Sequence, residues 1–437
     1  MLNINNFKNI FILGIGGSGM SSIAKYLKQK GFNVEGYDQR TSYIVELLSV
    51  ENIETIHSLD SVSYREDYLY IVSSAITIEN TFLGSFKNKL NVLTRPKFLE
   101  ILSKEENIIG VTGTHGKTST TALLSHIFQY NNRDISYIYG GVNSFGNIGG
   151  HFGGKNAPLV LETDEAFNTF KNIDIQNLLV TNIDDDHLDF YGNYQNLCDA
   201  FTHVIKNTKN NVVLNIEDSE LRKLEKYAKL TYSKNFNSYL KIISKNEFCI
   251  DDQNFTVDSN LIGEHYLMNI SGAILTATLL GISIEDALNA VKTFPGVKRR
   301  MELKGIKNNI RVFDDYGHHP TEILVTINSL KEITEGELYV VFQPHRFTRT
   351  RDNFKAIKES LEVCNNVIVT DIFSAGEEPI PGVRSKNFQS KNITYLNSLT
   401  LVPEYLKRNV KTGDCILTLG AGDVTLLGQK ILEALDG

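Results

Sequence analysis

The 437-residue sequence predicts an α/β protein of three domains, each built on a mostly parallel sheet. Three observations predict it. Short apolar runs alternate with helix-period segments almost throughout the chain. The strand–glycine–helix pattern starts afresh near residues 108 and 311. Two polar, charged segments, 103–107 and 295–304, separate the blocks. Boundaries placed there give domains 1–103, 104–297 and 298–437, about 100, 190 and 140 residues, each of ordinary domain size.

Along the first block, residues 10–13 form an apolar run that ends in glycines. Met20, Ile23, Ala24 and Leu27 then fall at helical spacing, with Gly31 placed to end the helix, and residues 34–38 read as the next strand. The second block opens with strand 108–112 and a helix on which Leu124, Ile127 and Phe128 share a face. In the third block, strands are expected at 311–313, 338–342, 367–370 and 416–419. Residues 215–260 show no clear period and stay unassigned.

Composition narrows the function classes. With 41% hydrophobic and 22% charged residues, a sizeable core is available and wholesale disorder is excluded. Forty-four Lys+Arg against 51 Asp+Glu give a net charge of −7, which argues against a general nucleic-acid binder. A polyanionic ligand would need local basic clusters, because screening limits each charge to about 8–10 Å. The four cysteines, Cys198, Cys249, Cys364 and Cys415, form no CxxC pair, so neither a disulfide framework nor a structural zinc site is expected. The N-terminal run lacks the pattern of a signal peptide. Stretch 267–284 is interrupted by Asn269, Ser271, Thr276 and Thr278, which suits a buried helix better than a membrane span. We expect a cytoplasmic protein with no membrane or nucleic-acid partner, a monomer or weak dimer.

Two glycine clusters carry phosphate chemistry. Gly14, Gly16, Gly17, Ser18 and Gly19 form a GxGxxG loop between a strand and a helix, with Asp38 at the end of the next strand. Backbone amides and a helix N-terminus can there approach a diphosphate closely. The motif alone leaves open a nicotinamide dinucleotide or another nucleotide. The second cluster runs Gly113, Thr114, His115, Gly116, Lys117, Thr118, Ser119 and opens a helix. Nucleoside triphosphates need many amide donors, a cation and a hydroxyl for Mg²⁺; Lys117 and Thr118 supply the last two.

Acidic residues follow at strand ends: Glu162, Asp164 and Glu165 after 159–161, then Asp184, Asp185, Asp186 and His187 after 178–182. A carboxylate and an imidazole beside a phosphate loop suit divalent ions bridging phosphate oxygens, and Glu162 and His187 are the residues selected for it. The remaining acids read mostly as solvated loop charges. The third block concentrates basic residues: Lys298, Arg299 and Arg300; His318 and His319 in DDYGHHP, which also carries the acid Asp315; and Arg346, Arg349 and Arg351 in QPHRFTRT. Adjacent His318 and His319 have no third ligand at usual zinc spacing.

The ordered set GIGGSGM, GTHGKTST, TNIDDDHLD, GVKRRME, DDYGHHP, QPHRFTRT and IPGV resembles the Mur ligase family over nearly the whole chain. The resemblance implies an N-terminal Rossmann-like domain that binds the uridine diphosphate of a sugar nucleotide, a central P-loop ATPase-like domain and a C-terminal Rossmann-like domain. It implies an ATP- and Mg²⁺-dependent ligase that joins the lactyl carboxylate of UDP-N-acetylmuramate to L-alanine through an acyl phosphate. By the same resemblance, Thr118, Glu162 and His187 would hold Mg²⁺, while His265, Asn269, Arg299, Arg300 and Asp315 would contact ATP. His318, Arg346 and Arg349 would face the amino acid and the tetrahedral intermediate, with Lys117 and His187 also catalytic. A murein-peptide recycling ligase of the family, a nicotinamide-dependent oxidoreductase and a non-catalytic ATPase are the competing readings.

Overall fold

A computed structural model describes residues 2–60 and 62–436, with the backbone alone at 167 and 189. It contains three sheets. The first holds β1 (Asn9–Leu13), β2 (Asn33–Tyr37), β3 (Glu54–Ile56), β4 (Tyr68–Val72) and β5 (Val92–Thr94), all parallel, in the order 3-2-1-4-5. The strand order reverses beside β1, so the loop after β1 opens at the crevice where such sheets take ligands. Residues 10–13 are all buried, which is why β1 reads as a continuous apolar run rather than an alternation.

Helix α1 (Ser18–Gln29) buries Met20, Ile23, Ala24 and Leu27 on the face that the spacing selects, and the Gly31 N–H, donating to Lys28 O, closes its end. Helix α2 (Tyr43–Val50) starts on Ser42, whose hydroxyl accepts from Val45 N–H. Helix α3 (Arg95–Ser103) leads into the second sheet.

The second sheet holds β6 (Ile108–Thr112), β7 (Ser136–Val142), β8 (Ile148–His151), β9 (Leu159–Glu162), β10 (Ile175–Val180), β11 (Asn211–Asn215), β12 (Leu230–Ser233), β13 (Leu240–Ser244), β14 (Glu247–Ile250) and β15 (Gln253–Thr256). Their order is 15-14-13-12-11-10-6-9-7-8, parallel from β13 to β7 and antiparallel at both edges. The unassigned stretch 215–260 contributes β12–β15. Each of these strands has only four or five residues, and β13 and β15 are largely exposed, so no sustained period could develop. Helix α4 (Lys117–Tyr130) follows the fully buried β6.

The third sheet, in the order 16-17-21-18-19-20, holds β16 (Glu302–Lys307), β17 (Ile310–Asp315), β18 (Leu338–Phe342), β19 (Asn366–Val369), β20 (Ile393–Tyr395) and β21 (Cys415–Leu419). Only β16 is antiparallel. Strands β16 and β20 escape the sequence reading: β16 is half exposed, and β20 has three residues. Apolar clusters on the two faces of this sheet form separate cores, one including Ile323, Phe342 and Phe388, the other Val341, Leu406 and Ile431. Each buried side chain of that size contributes about 1.5–3 kcal/mol.

Two compact units emerge. One holds the chain up to Asn260 with Leu267–Pro295; the other holds Leu261–Tyr266 with everything from Gly296 onward. In the first unit α1 packs on β7 and β8, where Ser22 Oγ donates to Tyr139 O at 2.7 Å, so the first two sheets share one body. Stretch 267–284 is mostly the buried part of helix Glu264–Leu279, and among the described residues no helix is long and apolar enough to cross a membrane.

Candidate active site

The glycine loop of the first sheet turns back on β2: the N–H groups of Gly14 and Ile15 donate to Tyr37 O at 2.7 and 3.1 Å. Asp38 does not project freely from its strand end. Its carboxylate accepts from Gly16 N–H at 2.9 Å and from Arg40 N–H at 3.1 Å, so it shapes the loop. A dehydrogenase reading uses this acid to hold a ribose; here its two oxygens already have backbone donors. Helix α1 begins at Gly17 with no side-chain cap and no acid in its first turn, leaving its amides directed outward.

The second loop spans 113–116 between β6 and α4. Gly113 (φ +137°) and Gly116 (φ +82°) occupy backbone regions that favour glycine, and a Cβ on either would collide, with Thr181 and Asn269 respectively. Asn269 is thereby placed against the loop. Thr114 and His115 are tied to the strand end of β10: His115 N–H donates to Asn182 Oδ1 at 2.8 Å, and its Nε2 lies 2.9 Å from Asp184. These bonds fasten the first half of the loop to the end of β10.

Lys117 and Thr118 start α4. Thr118 Oγ1 donates to Glu162 Oε1 at 2.9 Å, and Glu162 Oε2 accepts from Gly140 N–H at 2.6 Å. Lys117 Nζ donates to Gly113 O (2.6 Å), Thr114 O (3.0 Å) and both oxygens of Glu165 (3.0 and 2.7 Å). The Glu165 side chain is 1% exposed. Burial, aided by Asp164, pushes its carboxyl up to about 7 against the pull of Lys117. Burial alone would lower the Lys117 ammonium, but Glu165 and then Asp164 outweigh it and hold it above its ordinary value.

Glu165 is therefore no solvated loop charge. Its signal was present in the sequence, a carboxylate three residues beyond Glu162 at a strand end beside a phosphate loop. His187 has φ +55°, a strained backbone for a residue with a Cβ. Its Nε2 stands 3.9 Å from Glu165 and 3.8 Å from Asp186, and ligand atoms of Asp164, Glu165 and His187 lie within 4.8 Å of one another. The structure thus pairs Thr118 with Glu162 and groups His187 with Asp164 and Glu165. A hydroxyl and a carboxylate beside a glycine-rich loop form the hard-oxygen donor set that suits Mg²⁺.

The third-sheet unit gathers its candidates at the carboxyl ends of β17, β18 and β21. Arg299 (φ +61°) donates from Nη2 to Gly420 O (2.7 Å) and Gly422 O (3.1 Å), with Tyr316 under its guanidinium at 4.9 Å. Arg300 lies 3.7 Å from Glu322 and 5.2 Å from the same ring. Asp315 accepts from Met301 N–H and Gly317 N–H, both at 2.7 Å, and burial pushes it up to about 6. In this structure the two arginines and Asp315 thus fasten residues 299–301 to the sheet. His265 belongs to the same unit; it lies 3.5 Å from Ser329 Oγ, and burial pulls its imidazole down to about 4.

His318 donates its N–H to Glu322 (3.1 Å), and His319 caps helix Pro320–Ile333. Arg346 (φ +67°) donates to Glu377 at 2.6 Å. Burial alone would raise Glu377, but bonds from Thr348 and Arg346 bring it down to about 2. His345, inside QPHRFTRT but not singled out by the sequence reading, stacks on Phe373 (5.5 Å, 11°) and faces His318 at 5.9 Å. Its Nδ1 is buried with no hydrogen-bond partner among the described residues, and burial, then His318, lowers it to about 4. A neutral imidazole beside Arg346 and Arg349 can accept a bond from an ammonium while the arginines face a carboxylate.

Comparison with known proteins agrees with this architecture. The models for the Mur ligase family catalytic domain, the Mur ligase middle domain and the Mur ligase glutamate ligase domain match residues 9–107, 111–277 and 299–422. The UDP-N-acetylmuramate–L-alanine ligases of Dictyoglomus turgidum and Geotalea daltonii are each 34% identical to this chain. The alignments cover 98% of this chain and 97% and 98% of those relatives. The crystal structure of the Thermotoga maritima UDP-N-acetylmuramate–alanine ligase superposes with a TM-score of 0.81 at 25% identity, covering 98% of this chain and 99% of that one. A murein peptide ligase from Psychrobacter arcticus shares the fold at a TM-score of 0.66 and 22% identity, covering 98% of each chain.

Proposed function

The chain belongs to the Mur ligase family, and from that membership we propose that it is the ATP-dependent ligase that forms the amide between the lactyl carboxylate of UDP-N-acetylmuramate and the amine of L-alanine, releasing ADP and phosphate for peptidoglycan synthesis. The observation that carries it is a phosphate loop with a buried Lys117 in a chain that aligns end to end with alanine-adding ligases. We assign domains 1–103, 104–297 and 298–437 to the sugar nucleotide, ATP and the amino acid in turn, and place the enzyme in the cytoplasm; four free cysteines and the absence of a membrane-length apolar helix among the described residues support that placement.

A carboxylate does not acylate an amine at useful rates: its carbonyl carries negative charge and oxide is a poor leaving group. Attack of one lactyl oxygen on the γ-phosphorus, with loss of ADP, makes an acyl phosphate. The alanine amine then adds to the carbonyl, loses a proton, and expels phosphate to leave the amide. The first barrier is repulsion between two anions. Lys117 spreads that charge from the loop mouth, and fixed charges in a dry site are usually the largest catalytic contribution. Thr118 and Glu162 would hold Mg²⁺, with His187 the further candidate ligand, and the ion would supply added neutralisation of the triphosphate.

The amides of Gly116 and Lys117, where the loop runs into α4, bind the phosphates, with Asn269 beside Gly116. Arg349 and Arg346 take the alanine carboxylate, an anion that a guanidinium fork can bond at both oxygens. His345 and His318 orient the amine. The test is a product assay. Mass spectrometry should detect UDP-N-acetylmuramoyl-L-alanine, and phosphate release should require both substrates. Release with neither present would instead mark an ATPase, and NADH oxidation a dehydrogenase.

A further inference from the structure

Arg95 occupies an electrostatically odd position. It is the first residue of α3, and its guanidinium also lies across the first turn of α1: a Cβ on Gly19 would sit 3.3–3.4 Å from its Nη2, Cζ and Nε. Helix N-termini carry partial positive charge and favour anions. Here a permanent cation lies across the first turn of α1, and neither that turn nor the first turn of α3 contains an acid. Arg95 Nε is buried without a hydrogen-bond partner among the described residues. Its closest carboxylate, Asp164, stands 3.9 Å from Nη1, beyond hydrogen-bond reach. An orphaned buried donor costs free energy, and a cation at a helix N-terminus costs more. Both costs vanish if an anion sits between the guanidinium and the amides of α1.

We infer that Arg95 is a binding residue for the diphosphate of the sugar nucleotide, completing with the first turn of α1 a cradle that the glycine loop alone leaves half built. This rests on the proposed sugar-nucleotide role of the first sheet and adds the cation that role lacked. The loop itself has no basic side chain, and its one nearby charge, Asp38, is an acid turned onto Gly16. Arg95 comes instead from the far side of the switch point, after β5. No motif marks it, because the two elements it serves are 77 residues apart in the chain.

The test compares UDP with uridine on the full-length enzyme by calorimetry and ligand-detected NMR, for wild type, Arg95→Gln and Arg95→Lys. Loss of one charge-assisted contact should weaken UDP about ten- to hundredfold in Arg95→Gln. Uridine, which has no phosphate, should bind both proteins alike, and Arg95→Lys should recover part of the loss. Equal UDP affinity in wild type and Arg95→Gln would overturn the inference. So would parallel loss of UDP and uridine, which would mark a structural role. A wild-type enzyme that binds neither would overturn the sugar-nucleotide reading itself, a result distinct from the other two. Unchanged ATP binding by Arg95→Gln checks that the variant is folded.

Discussion

The ammonium of Lys117 lies 2.7 and 3.0 Å from the two carboxylate oxygens of Glu165, the side chains being 13% and 1% exposed. The cation expected to meet ATP is thus already paired with an acid inside the protein. Removing one partner of a buried pair typically costs about 3–5 kcal/mol. Glu165→Gln should lower the thermal midpoint accordingly, measured by calorimetry. Added ATP should restore more of the midpoint in the variant than it adds to wild type, because only in wild type must the phosphates compete with Glu165. An unchanged midpoint would show that the pair contributes nothing.

Thr118 donates to Glu162 in a donor set suited to Mg²⁺. Thr118→Ala should reduce Mg²⁺-supported turnover by about 10–100-fold, the range seen when a metal site loses a supporting group. UDP binding, which we propose for the first sheet, should stay within twofold by calorimetry. Equal loss of both would contradict separate nucleotide sites.

Arg349 stands in the short helix Phe347–Asp352 beside His345. Arg349→Ala should raise the alanine KM by about tenfold to a hundredfold, the value of one charge-assisted contact, and leave the ATP KM near wild type. Steady-state kinetics with each substrate varied in turn distinguishes the two. A change confined to ATP would move Arg349 to the other substrate.

Asp315 is held at about 6, above the ordinary carboxylate value of 3.8, chiefly by burial. A carboxyl whose folded pKa is raised binds its proton more tightly in the folded state. Its stabilisation is therefore fully present below about 4 and is lost as pH rises through about 6. Asp315→Asn should flatten the fall in stability between those values, read as the difference between the melting curves of the two proteins. An identical slope would show that Asp315 does not titrate there.

The sequence made legible what is local and periodic. Both glycine loops, α1, α4 and the parallel strands between them are read from apolar runs and from glycines that admit positive φ. Glu165 and Arg95 were not legible in the same way. One acid of a cluster after a strand, or a lone base opening a helix, has the same local signature whether solvated or buried, and only the packing of α1, α3 and α4 reveals which. The strained backbones of His187, Arg299 and Arg346 are also invisible in sequence, yet all three fall on residues selected for chemistry, where strain tends to collect. Strands β12–β15 were missed because strands of four or five residues carry too few alternations to register.

The most direct measurement follows oxygen. With both lactyl carboxylate oxygens of UDP-N-acetylmuramate labelled as ¹⁸O, an acyl phosphate requires that one labelled oxygen leave with phosphorus when alanine displaces it. Phosphorus NMR or mass spectrometry should find one ¹⁸O per inorganic phosphate released, with one retained in the amide. Phosphate free of label, with product still formed, would show that the carboxylate never bonded to phosphorus.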